Sequence, residues 1–223
     1  MLTIVFKPCP FGKRLSHKEE ATVKFPDFFE SAPRITVRDP LARFLGAAEE
    51  GVIEYSYGDA VKLAGHSCPT VAAAYLMTRA AMRALYPAAF PERGSIRVEL
   101  SDDHLAGVTG VIANVVSLLT GASNDSGFKG IAGRFDRRGL LSFAADIPGQ
   151  IRFTRIGTGA AAIVSARLER VPGDRRIASL LPLCVAGTAT DAQSALFQSL
   201  WQDRVRMLLV EHADDPEIIV VEH

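Results

Sequence analysis

The sequence predicts an α+β fold, a mixed or antiparallel sheet with packed helices, and three observations carry that expectation. Helical periodicity is confined to separate blocks, above all "VAAAYLMTRAAMRALYP", which contains no breaker before Pro87. Alternation at period two marks "SIRVEL", where Ile96, Val98 and Leu100 take turns with polar neighbours. Short β-like runs separated by glycine-bearing turns fill "FKGIAGRFDRRGLLSFAADI" and "QIRFTRIGTGAAAIVSARLERV", the pattern of an antiparallel meander. Helices segregated from runs of strands indicate α+β architecture, and no internal repeat competes with that reading.

The elements follow in order. Residues 1–35 read as an N-terminal arm, irregular in pattern, with Pro8, Pro10, Pro26 and Pro33 around the charged run "GKRLSHKEE". Residues 36–223 read as one α+β domain. Asp39 suits an N-cap and Pro40 a first helical position, with Leu41, Phe44 and Leu45 at helical spacing. In "GDAVKLAGH", Asp59 can cap a short helix and Gly65 can end it in the left-handed conformation. Pro69 then opens a longer helix with Val71, Tyr75, Met82 and Leu85 along one stripe. The stretch from Gly107 to Leu119 is too apolar all round for a surface helix and reads as central. A long helix capped by Asp191 and a closing strand in "DDPEIIVVEH" complete the chain.

Composition narrows the function. At 223 residues the chain can bury a large core without staples. Twenty-five basic and 25 acidic residues cancel, so no global field attracts nucleic acid or an anionic membrane. No apolar run reaches the roughly 18 residues of a membrane span, and the first residues lack the order of a secretory signal. The expectation is a cytoplasmic protein that meets a small-molecule substrate or a partner enzyme. Three scattered cysteines, Cys9, Cys68 and Cys184, allow neither a disulfide framework nor a four-cysteine zinc site.

Chemistry concentrates in "GHSCPT", Gly65 to Thr70, at the junction of two helices. A helix N-terminus offers partial positive charge and N–H groups that stabilise a thiolate. With His66 two residues away, Cys68 gives a sulfur and nitrogen pair suited to zinc, although a catalytic zinc usually takes three protein ligands. The nearest sources of a third are "SDDH", which holds Asp102, Asp103 and His104, and His17 on the arm. Asp102 or Asp103 could also serve as a proton acceptor, and Lys129, in "GFKG", could contact an anion.

"AGHSCPTVAAAYLMTRAAMRAL", a strand, and then "GVTGVIANVVSLLTGASNDSGFKGIAGRFDRRGLLSF" together resemble the FmdE-like family, named for the E component of formylmethanofuran dehydrogenase. The matching positions are Gly65, His66, Cys68 and Pro69, then Thr120 and Gly121, then Gly127, Lys129 and Gly130, over about Ala60 to Phe143. The resemblance implies a fold akin to the glyceraldehyde-3-phosphate dehydrogenase C-terminal domain, a bound divalent metal, zinc above others, with His66 and Cys68 as ligands, and a homodimer. Ala64, Ala106 and Ala122 stand where relatives often carry a further histidine and two cysteines, and no cysteine follows Gly187. These departures argue against the methanofuran redox assembly and leave His104 or an adjacent aspartate as the expected replacement. The leading expectation is a metal-binding protein of this type, catalytic or not. The alternatives are a metal-free thiol enzyme or redox sensor using Cys68, and a carrier of a metal or cofactor.

Overall fold

The computed structural model describes residues 23–222. Strands β1 (Ile35–Arg38) and β2 (Val52–Tyr55) pair antiparallel as a two-stranded ribbon around the short helix α1 (Pro40–Phe44). Helices α2 (Tyr57–Ala64) and α3 (Pro69–Leu85) come next, then β3 (Ile96–Leu100), α4 (Thr109–Thr120) and β4 (Leu141–Ser142). Strands β5 (Ile151–Arg155) and β6 (Ala161–Ala166), helices α5 (Ile177–Val185) and α6 (Asp191–Arg206), and β7 (Ile219–Glu222) complete the chain. The main sheet runs β4-β3-β5-β6-β7 and is mixed, because β3 pairs parallel with β4 while every other pair is antiparallel. The fold is α+β, as the sequence predicts. No helix among the described residues is long and apolar enough to cross a membrane.

Alternation in sequence becomes alternation in space. Val98 sits opposite Phe153, which sits opposite Ala162, and Leu100, Ile151 and Val164 form the next row. All six are at most 2% exposed. The other face carries polar pairs such as Glu99 and Arg152, joined by two hydrogen bonds of 2.6 and 2.7 Å across directly opposed positions.

Helix α3 lies against this sheet and α4, and it is the most enclosed element: every residue from Val71 to Thr78 is buried. The run Ala72, Ala73 and Ala74 keeps that helix slim enough for close approach on several sides. The Gly107–Leu119 segment, expected to be central, instead buries one side of α4 and leaves Asn114 exposed. At the start of the described chain, Phe25 stacks on Phe29 (5.1 Å between centroids), Phe29 meets Tyr57 edge-on (4.8 Å), and Tyr57 meets Tyr75 (5.8 Å). Part of the segment expected to be an arm thus contributes Phe29 and Ala32 to the core. The Tyr75 hydroxyl lies 2.8 Å from Pro33 O and 3.0 Å from Tyr55 O, pinning the ribbon to α3.

Local capping signals hold at some helix ends and shift at others. Asp39 caps α1, accepting from Leu41 N (2.9 Å) and Ala42 N (3.2 Å). Ser56, rather than Asp59, caps α2, and Asp59 sits three residues in, closing a reciprocal capping box. Thr190 and Gln193 do the same for α6, so Asp191 is its first residue instead of its cap. Residues 127–143 hold only β4 and an isolated bridge between Ile131 and Arg134, because their backbone pairs with loop neighbours. Helix α5, with Pro182 inside it, was not expected from the sequence.

Asp39 also anchors a buried charge cluster. It is 3% exposed and accepts from Arg93 Nη1 at 2.8 Å and from Arg137 Nη2 at 2.7 Å, while Arg137 is itself 6% exposed. The Arg137 guanidinium fits between two turns that only glycine permits. Gly94 (φ +88°) and Gly121 (φ +72°) are both left-handed, and a Cβ on Gly121 would lie 2.1 Å from Arg137 Nη1.

Candidate functional site

The turn between α2 and α3 is built by its two caps. Gly65 ends α2 at φ +75°, a left-handed conformation that reverses the chain, and Cys68 is the N-cap of α3 with extended backbone before Pro69. His66 is exposed on this turn, and its Nδ1 lies 2.9 Å from the Ala64 carbonyl. A carbonyl only accepts, so Nδ1 carries a proton, and in the neutral ring the lone pair then sits on Nε2. Cys68 is half-buried and free, and its sulfur accepts from Val71 N–H at 3.5 Å.

Ser67, read from the sequence only as the spacer between these two, is the hub that fixes the turn. Its hydroxyl donates to Gln202 Oε1 at 2.9 Å and lies 3.0 Å from the Tyr57 hydroxyl. Because the Ser67 proton is committed to Gln202, Tyr57 is the donor of that second bond. Burial raises the Tyr57 phenol well above its ordinary value, and the Ser67 hydrogen bond only partly offsets it, so the donor stays protonated at neutral pH. The Ser67 carbonyl accepts from Trp201 Nε1 at 3.1 Å and from Gln202 Nε2 at 3.2 Å. Helix α6 therefore clamps a turn that lies 134 residues away in sequence. No local pattern announces this contact; the only hint is a lone tryptophan followed by glutamine on a strongly polar helix.

Two cavities flank the clamp and share Trp201. One, of about 420 Å³, is lined by Phe25, Phe29, Ser67, Phe197, Gln198 and Trp201 among others. The second, of about 310 Å³, runs past Pro69 and carries Asp174, Arg175 and Arg204. Their walls take the neighbours of Cys68 rather than Cys68 itself.

The other described residues expected at the site belong to the loops after β3 and α4. Among the described residues, no group of three or more His, Cys, Asp and Glu side chains is placed to hold a metal ion. His104 and the aspartates of "SDDH" are therefore not gathered with His66 and Cys68. The physical reason is local: Asp103 caps its own loop through Leu105 N–H at 2.9 Å and pairs with His104 Nδ1 at 3.2 Å, while the His104 ring packs toward Phe143. Asp102 is exposed on the same loop, and Lys129 is exposed on the loop after α4. His17 lies outside the described residues. No family model matches the chain, and no curated protein matches it.

Proposed function

We propose that the chain binds a divalent transition metal at the turn before α3, with His66 Nε2 and Cys68 Sγ as two of its ligands. The observation that carries this reading is the Ala64 carbonyl against His66 Nδ1. That contact fixes the tautomer and frees Nε2, as backbone carbonyls do for metal-bound histidines. A free cysteine on the same clamped turn adds sulfur, and the pair suits zinc better than a hard, oxygen-loving ion. The ordered motif series that resembles the FmdE-like family points the same way. Among the described residues no third donor completes a group with these two, and His17, outside the described residues, or a second copy of the chain is the source we propose for the rest of the ligand set. A zinc ion held there would supply Lewis acidity toward a small substrate, or would be cargo for a partner enzyme.

Purified without an affinity tag, the protein is expected to contain near-stoichiometric zinc by elemental mass spectrometry, and the His66→Ala/Cys68→Ala double variant to contain none. His17→Ala separates the two sources of the missing donor. Metal lost in that variant assigns the donor to His17, whereas metal retained in it and released when a dimer is diluted assigns the donor to a second copy. A wild-type protein that stays empty after dialysis against zinc would overturn the reading.

The absence of a third donor among the described residues favours one other reading, a metal-free reactive thiol at Cys68. In that case iodoacetamide would modify Cys68 at the same rate with and without added zinc.

A further inference from the structure

We infer that the uncharged cavity beside the clamp is a binding site for a neutral small molecule bearing a planar aromatic ring. The inference does not depend on the metal reading.

Size comes first: about 420 Å³ lies within the range of small-molecule sites, roughly 300–1,000 Å³. Two aromatic pairs from distant parts of the chain line it. Phe25 and Phe29 are stacked at 5.1 Å and 25°, and Phe197 and Trp201 sit at 5.6 Å and 40°. Rings offered by two separate segments suit an inserted ring, which gains from stacked and edge contacts beyond the area it buries.

Charge decides the class of ligand. Among the described residues, no Asp, Glu, Lys or Arg lines this cavity. An ionic ligand would lose its hydration there with nothing to replace it. The cavity on the far side of Trp201 differs in this respect, since Asp174, Arg175 and Arg204 line it. Trp201 Nε1 is committed to the Ser67 carbonyl, and the Gln202 amide donates one bond to that carbonyl and accepts one from the Ser67 hydroxyl. The exposed Gln198 amide, with the second N–H of Gln202, can donate to or accept from a ligand. A neutral ring with one hydrogen-bonding substituent fits that inventory.

Trp201 is the only tryptophan in the chain, so it reports occupancy directly. Titrating the full chain with the neutral probe N-phenyl-1-naphthylamine is expected to quench Trp201 emission saturably. Two variants should weaken binding about tenfold, the scale of one lost aromatic contact: Phe197→Ala, which removes a wall, and Gln198→Phe, which blocks the mouth from an exposed position. Zinc content should not change in Gln198→Phe, which separates this inference from the metal reading. Circular dichroism confirms that both variants fold. The inference is overturned if quenching is not saturable, if both folded variants bind as tightly as wild type, or if the anionic probe 1-anilinonaphthalene-8-sulfonate binds equally well at the same site.

Discussion

Replacing Asp39 with alanine is expected to lower the unfolding free energy by about 3–5 kcal/mol, the scale measured when one partner of a buried ion pair is removed. Three losses coincide at this position. Arg137, 6% exposed, would keep its charge without the carboxylate that accepts from it. Arg93 would lose its 2.8 Å partner, and α1 would lose the side chain that caps Leu41 and Ala42. Urea unfolding followed by circular dichroism measures the effect, and a loss below about 1 kcal/mol would mean that water replaces the carboxylate. The same group gives a pH signature. Burial pushes the Asp39 carboxyl up, but hydrogen bonds from Arg93, Arg137 and the Ala42 N–H, with the Arg137 charge, outweigh it and hold the group below the ordinary aspartate value. Its folded value is therefore below its unfolded value. The contribution is complete above the unfolded value near about 4 and disappears as pH falls through the folded one. Asp39→Asn should accordingly lose less stability than wild type between neutral pH and pH 3. Parallel pH profiles for the two proteins would refute that assignment.

Ser67→Ala should cost about 1–3 kcal/mol, because the fully buried Tyr57 hydroxyl would be left without the acceptor it now uses. Tyr57→Phe removes donor and need together and should cost less. Adding Tyr57→Phe to Ser67→Ala should then recover part of the loss, a coupling of at least about 0.5 kcal/mol in a double-mutant cycle. The clamp also holds the turn that presents His66 and Cys68, so if zinc binds there as proposed, Ser67→Ala is expected to weaken its retention even though Ser67 is no ligand. Strict additivity in the cycle would show that the Ser67 side chain adds nothing to the clamp and that α6 holds the turn through the main-chain carbonyl of residue 67 alone.

Much of the fold was legible because its causes are local. The N-cap at Asp39, the proline start of α3, the left-handed stop at Gly65 and the alternation of β3 each depend on residues within one or two turns of one another. Where two capping signals stood close together, nearness misled. Ser56 precedes Asp59 and Thr190 precedes Asp191, and in both cases the earlier residue takes the cap while its partner three residues on closes the box. The glycine-rich stretch 127–139 looked β-like because Phe128, Ile131 and Phe135 have strand propensity and glycines punctuate it. Its backbone donors and acceptors are taken up instead by turns around Ser123 and Arg137.

By itself the sequence determined the α+β class, the helical junction at "GHSCPT" and the pairing of an imidazole with a thiol two residues apart. Only the tertiary structure decided that Ser67 is the hub of that junction, that α6 clamps it, that Asp103 of the SDDH loop bonds within its own loop, and that Arg137 is buried against Asp39. Most of these are contacts between segments distant along the chain. Hydrogen bonds and ion pairs of that kind leave no periodic trace, because either partner alone looks like an ordinary surface residue until the fold removes the water that would otherwise satisfy it.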